Sequence, residues 1–383
     1  MALAWTPAMD AVLLTTVAEN EGATWKEVAA IVTDEIGLIV TADMARNRHG
    51  RAAPLSTVEM DDESIAAMRR SLVDTRNELE QMKVSRQDLQ DAVFRAVDQS
   101  IAGLKIDPVA RPDYDVGIPS DLDMVLLGAD WQAGKYIKGS YNSEVAKERV
   151  ATHVQRSIEL SHLHVGQTNR AHWLLLGDLV ENEIIFPSQQ HRIDASLFRQ
   201  VFNVAEMIVN GARQLLAVYP EVYIDGVGGN HGENLKTSHP ETNFDCMAME
   251  IARRLLANED RLVFPEPITP DEHHWAIWHA VRNTMFFGVH GHQVRSQPNA
   301  KASRDRYLGW YANFGPFDVA VSGHYHQSLM QDLGPFTHYA GGSPENNNTY
   351  AAEYLQTGAQ RGSQWTLFVD NEGIYADHLI RLS

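Results

Sequence analysis

The sequence has a single cysteine, Cys246, among its 383 residues. One thiol excludes a disulfide within the chain, which is typical of proteins that fold in a reducing compartment. Long apolar runs are also missing, and no stretch reaches the roughly 20 residues that a membrane-spanning helix needs. Asp10 interrupts the first apolar segment and no basic cluster precedes it, so we expect no signal peptide. These absences predict a cytoplasmic protein that does not enter a membrane.

Positive charge is scarce as well. Lys and Arg number 32 against 50 Asp and Glu, which gives a net charge of -18 at pH 7. A chain this acidic does not bind nucleic acid through its overall charge. A local basic patch, or phosphate binding through a metal ion, remains compatible with it. Hydrophobic residues make up 44% of the chain, enough for a sizeable core, and the length suits two or three domains.

Residues 1–55 carry the start signals of three short helices. Thr6, Thr24 and Thr41 stand at N-cap positions, and Glu27 follows the second of them at the spacing of a capping box. Apolar residues recur at helical spacing after the first two caps. We therefore predict a small three-helix domain.

This domain resembles a Myb/SANT-type helix-turn-helix. Trp5 and Trp25 match the first two of the regularly spaced core tryptophans of that family, and His49 stands at the third aromatic position. The resemblance implies that the third helix contacts DNA. The candidates for nucleic-acid contacts on this helix and just after it are Arg46, Arg48 and Arg51. Acidic residues outnumber basic ones by seven to four in residues 1–51, so a protein-docking unit is the alternative.

Residues 56–104 predict one long helix. Two rows of residues at heptad spacing between 60 and 104 are apolar except for Arg86 and Thr75, which is typical of a coiled-coil seam. We expect a homo-oligomer formed through this segment; the alternative is a helix that packs on its own chain. Residues 105–121 contain three prolines and several aspartates and are predicted to be a linker.

The remaining residues, 122–383, contain five apolar runs that each end on polar side chains. Ligands at the carboxyl ends of neighbouring strands converge on one crevice, and carboxylate, amide and imidazole groups bind divalent metal ions. Amphipathic helices between the runs predict a layered α/β sandwich, and two further apolar segments, 365–369 and 374–376, predict a terminal hairpin. The five polar groups are Asp130 with Gln132, Asp178 with Glu181, Asn230 with His231 and Glu233, His290 with His292, and His324 with His326.

The order of these groups resembles the calcineurin-like metallophosphoesterase superfamily. Its motifs run D-x-H, G-D-x-x-D/E, G-N-H-D/E, a His motif and G-H-x-H. The last four match closely if Glu233 is counted one place later than usual, whereas Gln132 stands where the first motif has His. The resemblance implies a four-layer αββα sandwich, preceded here by the three-helix domain and the long helix.

The resemblance also implies two divalent ions bridged by Asp178. The residues implied for the first ion are Asp130, Gln132, Asp178 and His326. The residues implied for the second ion are Asp178, Asn230, His290 and His324. Mixed oxygen and imidazole ligands without thiolate favour Mn²⁺, with Fe, Zn²⁺ or Ni²⁺ as alternatives.

Three further roles follow from the resemblance. His231 is implied to protonate the leaving oxygen or to stabilise the developing charge. Glu181 and Glu233 are candidates for orienting His231 or a ligand histidine. His292 is ambiguous, because it could also fill the place that Gln132 leaves weak.

The function that the motifs predict is a dinuclear phosphodiesterase acting on nucleic acid, similar to DNA-repair exonucleases and phage-encoded phosphoesterases. The stretch 293–310, predicted as a loop with four basic residues and one acid, supports a polyanionic substrate. One alternative is a nucleotide or phosphoprotein phosphatase whose N-terminal region serves only assembly. The other is a non-enzymatic binding scaffold with a decayed site; the presence of His231 argues against it.

Overall fold

The computed structural model describes twelve parts of the chain, which fall into two compact units divided after Asp88. The long helix predicted over residues 56–104 and much of the predicted linker lie outside these parts, so the coiled coil stays a prediction. The described residues are 7–20, 22–37, 40–49, 106–111, 121–164, 168, 170–185, 189–233, 242–265, 275–294, 298–346 and 361–383.

The N-terminal unit contains the three predicted helices, α1 (Pro7–Glu19), α2 (Trp25–Ile36) and α3 (Ala42–His49). The predicted capping box is present at the start of α2. The backbone N–H of Thr24 donates to the Glu27 carboxylate over 2.8 Å, and the Thr24 hydroxyl accepts from the Glu27 backbone N–H. A small core holds the helices together, formed by Leu13, Val28, Ala29, Val32, Val40 and Ala45.

The second unit is built on two sheets. The first has the strand order β11-β10-β1-β2-β3-β4, in which β1 to β4 are parallel and the last two strands form an antiparallel hairpin. Its strands are β1 (Asp123–Gly128), β2 (Arg170–Leu175), β3 (Glu221–Gly226), β4 (Leu262–Val263), β10 (Ser363–Val369) and β11 (Ile374–Arg381).

The second sheet has the order β5-β6-β7-β9-β8. Its central strands β6 and β7 run parallel, so the residues that follow them leave the sheet at one edge. Its strands are β5 (Ala276–Val281), β6 (Thr284–Val289), β7 (Val319–Ser322), β8 (Leu329–Asp332) and β9 (Thr337–Ala340).

Helices cover the outer faces of both sheets. An apolar cluster that includes Val125, Leu174 and Val321 fills the space between the sheets. A larger cluster joins the first sheet to α4 (Ser143–Ser161), α5 (Leu197–Leu216) and α6 (Phe244–Leu255), and a third joins the second sheet to α7 (Lys301–Phe314). The layers therefore run helix, sheet, sheet, helix, as predicted. In the described part of the chain, no helix has both the length and the apolar run needed to span a bilayer.

The prediction of a basic loop over residues 293–310 is wrong in its second half. From Lys301 the chain is helical, because Tyr307 and Trp310 lie one turn apart and bury their rings against the second sheet. Arg306 lies against the Trp310 ring at 5.3 Å instead of projecting from a loop. Counting only the basic residues obscured this aromatic face.

Candidate active site

Five loops that follow β1, β2, β3, β6 and β7 carry the predicted site residues. Two glycines allow the loops after β2 and β3 to touch. A Cβ on Gly177 would lie 2.5 Å from the Gly229 nitrogen, and a Cβ on Gly229 would lie 2.1 Å from Asp178 Oδ1. Any side chain at either position would therefore displace Asp178 or its neighbouring loop.

A buried carboxylate at the start of α6, Asp245, fixes the same two loops. Its Oδ2 accepts hydrogen bonds from the backbone N–H groups of Asp178 and Gly229, both at 2.9 Å. Its Oδ1 accepts from those of Leu179 and Val180, both at 3.0 Å. Four buried donors thus share one acceptor group, which satisfies them away from water. Sequence reasoning missed this residue, although an acid among the apolar positions of α6 was a signal.

We expect Asp245→Ala to lower the free energy of unfolding by about 3 kcal/mol or more, because hydrogen bonds to a charged group contribute about 1.5–3 kcal/mol each and the donors would stay buried. Denaturant unfolding followed by circular dichroism measures the change. Glu250→Ala removes a carboxylate from the same helix that pairs with Arg253 and Arg254 near the surface, and it should cost under about 1 kcal/mol. Equal losses for the two variants would contradict the role of Asp245.

Several site residues have an unusual backbone. In the described parts of the chain, seven residues other than glycine have φ between 42° and 75°. This left-handed conformation costs about 1–2 kcal/mol per residue and tends to persist at functional sites. Five of the seven are predicted ligands: Asp130, Gln132, Asp178, His324 and His326.

The residues predicted for the second ion come together. The side chains of Asp178, His290 and His324 offer ligand atoms within 4.8 Å of one another. His290 Nε2 lies 3.1 Å from Asp178 Oδ2 and 3.1 Å from Asn230 Oδ1. Because His290 Nδ1 donates to the Leu176 carbonyl oxygen at 2.7 Å, Nε2 of the neutral ring presents a lone pair to two oxygens. Such an arrangement requires a positive charge between the three atoms.

Without a bound metal ion, a proton on His290 Nε2 can supply this positive charge. Burial opposes the charge on His290, but the Asp178 carboxylate beside it raises the pKa of His290 to about 9. Burial and the neighbouring His290 lower the pKa of His324 to about 3, so this imidazole is neutral and can bind a metal ion. The donor set of Asp178, Asn230, His290 and His324 therefore fits a divalent ion.

The residues predicted for the first ion converge only in part. His326 Nε2 lies 3.5 Å from Asp130 Oδ1, and both Asp130 oxygens accept from the His324 backbone N–H at 3.0 and 2.8 Å. Gln132 presents its Nε2 atom to His326 at 3.3 Å, while its oxygen contacts Lys135 Nζ at 2.5 Å. The structure thus does not place the Gln132 oxygen among the ligands.

His231 stands beside the second donor set. Its backbone N–H donates to Asp178 Oδ1 at 2.7 Å, and its Nδ1 donates to the Glu181 carbonyl oxygen at 2.9 Å. Its Nε2 lies 3.9 Å from Asp178 Oδ2 and therefore faces the site. Burial opposes its charge, but Asp178 and Glu181 raise the pKa of His231 to about 10. Glu181 thus orients this ring chiefly through its backbone carbonyl.

His292 and Glu233 lie together at the rim. His292 Nε2 lies 3.8 Å from Glu233 Oε1, and the His292 ring centre lies 5.4 Å from that of His290. This position assigns His292 to the surroundings of the second donor set, beside its sequence neighbour His290. Burial lowers the pKa of His292 to about 4, so its ring is neutral.

The three candidate arginines of the N-terminal unit differ from one another. Arg48 donates two hydrogen bonds to Asp10, at 2.6 and 2.5 Å, which connect α3 to α1. Arg46 is 58% exposed and lies 3.7 Å from Asp43. Arg51 lies outside the described residues. The His49 ring packs 5.4 Å from the Trp25 ring, so it occupies an aromatic position of this small core.

No protein-family model and no curated protein sequence matches the chain. It is similar to solved structures of a novel archaeal phosphodiesterase (11% identity, TM-score 0.33), covering 68% of this chain and 99% of that chain. A predicted phosphoesterase from Streptococcus pneumoniae matches at 11% identity and TM-score 0.28, with 69% and 99% covered. Vacuolar protein sorting 29 from Cryptosporidium parvum matches at 15% identity and TM-score 0.34, covering 68% of this chain and 96% of that chain.

Proposed function

We propose that residues 122–383 form a metal-dependent phosphoesterase of the calcineurin-like type that hydrolyses phosphodiesters, with nucleic acid as the substrate. The observation that carries this proposal is the meeting of Asp178, Asn230 and His290 around one point that requires positive charge. His231 lies beside that point, and its Nε2 atom lies 3.9 Å from Asp178 Oδ2. Acceptors for a cation and a nearby proton donor are what phosphate ester hydrolysis needs.

The residues that would hold the ion are Asp178, Asn230, His290 and His324. A divalent ion bound there supplies charge for the phosphoryl oxygens and acidifies the attacking water. Their mixture of carboxylate, amide and imidazole favours Mn²⁺, with Zn²⁺, Fe or Ni²⁺ as alternatives. Buried Asp245 keeps Asp178 in place through the loop backbone.

His231 is the proton donor to the leaving oxygen in this proposal. The Glu181 carbonyl oxygen accepts its Nδ1–H, so the ring is held in one orientation and Nε2 carries the transferable proton. Asp178 Oδ1 accepts a hydrogen bond from the His231 backbone N–H, which fixes the position of His231 relative to the proposed metal ligand Asp178. Both contacts are buried.

Hydrolysis by the full chain, stripped of metal with a chelator and restored with Mn²⁺, tests the proposal. The substrates are bis(p-nitrophenyl) phosphate, p-nitrophenyl phosphate, single-stranded DNA, duplex DNA and RNA. We expect chelator-sensitive turnover of the diester and of at least one nucleic acid. A preference for the monoester would favour the phosphatase alternative. Tight Mn²⁺ binding without turnover of any substrate would favour the scaffold alternative.

The N-terminal unit is proposed to deliver DNA through α3. Arg46 is the exposed candidate, whereas Arg48 is engaged with Asp10. Arg46→Ala in the full chain should weaken duplex binding and reduce the slope of log K against log salt by about 0.9, the value of one phosphate contact. Lys26→Ala removes an exposed charge from α2 and should leave the slope unchanged. If Arg46→Ala binds DNA as tightly as Lys26→Ala and the unmodified protein do, the N-terminal unit serves assembly instead.

A further inference from the structure

Four side chains form a closed ring of polar contacts at the position predicted for the first ion. His326 Nδ1 donates to Glu345 Oε1 at 2.6 Å, and Gln132 Nε2 lies 3.3 Å from His326 Nε2. Lys135 Nζ contacts Gln132 Oε1 at 2.5 Å and Glu345 Oε2 at 2.6 Å. The ring thus returns to the carboxylate from which it starts.

The chemistry of the donors fixes the direction of each contact. An ammonium group has donors only, so Gln132 must turn its oxygen to Lys135 and its NH₂ group to His326. The carboxylate accepts the proton on His326 Nδ1, and in the neutral ring the lone pair on Nε2 accepts from the Gln132 amide. The two atoms with which Gln132 and His326 would bind an ion are therefore occupied by each other and by Lys135.

The ring also brings its own positive charge. The Lys135 side chain is 15% exposed, and its partner Glu345 is 1% exposed. A buried carboxylate without a cation is costly, so the Lys135–Glu345 pair keeps the ammonium group at this position. Of the four residues predicted for the first ion, only Asp130 and Asp178 do not belong to the ring.

We infer that this protein binds one divalent ion tightly, and that the Lys135 ammonium takes the place of the second ion that the superfamily resemblance implies. The inference rests on the proposed function, because it takes the tight ion to sit between Asp178, Asn230, His290 and His324. Those residues fit a cation, whereas the residues of the first position already satisfy one another.

Titration of the full chain with Mn²⁺ after chelator treatment tests the inference, by calorimetry and by the electron paramagnetic resonance signal of free Mn²⁺. We expect one tight ion per chain. Lys135→Met should release the Gln132 oxygen and the Glu345 carboxylate, so that a second ion binds at least tenfold more tightly than any second ion in the unmodified protein. Lys135→Arg keeps the cation and should still bind one ion.

Lys138→Met is the matched control, because Lys138 is exposed three residues further along the chain. Its titration should equal that of the unmodified protein. Two ions of comparable affinity in the unmodified protein would overturn the inference, as would an unchanged second affinity in folded Lys135→Met. If Lys135→Met does not fold, the counts for the unmodified protein and Lys135→Arg decide. Failure of the proposed function is distinguishable from these two contradicting results, because it would appear as one bound ion without hydrolysis.

Discussion

Asp178→Asn is expected to reduce phosphodiester hydrolysis by about a thousandfold or more and to release the tightly bound metal ion. In the folded protein Asp178 Oδ1 accepts from the His231 backbone N–H and Oδ2 faces His290 Nε2. Asparagine can keep the first contact but must then turn its NH₂ group towards His290. The site loses one negative charge and one oxygen ligand, and several kcal/mol of charge stabilisation correspond to about three orders of magnitude in rate.

Elemental analysis after gel filtration and turnover of bis(p-nitrophenyl) phosphate measure the two effects. Asp318→Asn is the matched control, because Asp318 is exposed and precedes β7 at the end opposite His324, and its carboxylate accepts from the Met285 backbone N–H. It should keep both the metal and the rate. A full complement of metal and full turnover in Asp178→Asn would refute the assignment of this ligand.

His231→Ala should retain the metal and slow turnover by about two to four orders of magnitude, the usual contribution of a positioned acid. The effect should depend on the leaving group. A p-nitrophenolate departs with little protonation, whereas an alkoxide such as a deoxyribose oxygen needs the proton. We therefore expect a loss of about two orders of magnitude for bis(p-nitrophenyl) phosphate and of about four orders for DNA.

Single-turnover rates on the two substrates, together with the metal content, separate proton donation from a structural role. His162→Ala removes an exposed imidazole just after α4 and should leave both rates unchanged. Equal losses on good and poor leaving groups would contradict general acid catalysis. Loss of the metal in His231→Ala would instead make His231 a support for Asp178.

Local signals in the sequence predicted a layered α/β sandwich and the meeting of the loops, and the family resemblance implied the four layers. Runs such as 173–177 and 285–289 are too apolar to lie anywhere but in a buried strand. Glycine and a polar residue at the end of each run mark where the chain leaves the sheet. The parallel order of β1, β2 and β3 then brings Asp130, Asp178 and Asn230 to one edge.

The ring around Lys135 and the role of Asp245 escaped prediction because their contacts join distant parts of the chain. Glu345 follows β9 without any motif, and it meets Lys135 only through the packing of the two sheets. Asp245 acts on backbone N–H groups, which leave no trace in the side chains of their own residues. Gln132 was named as a ligand because it stands at the His position of the first motif; the direction of its amide depends on Lys135.

The left-handed backbone at Asp130, Asp178 and His324 has a consequence for how such a chain evolves. Glycine adopts this conformation without steric cost, so a change to glycine would relieve strain while it removed the reactive group. Natural proteins stay just above the stability that they need. A lineage released from the need for hydrolysis would therefore drift towards glycine first at His324, because Asp130 and Asp178 also accept hydrogen bonds from the backbone N–H groups of His324 and His231.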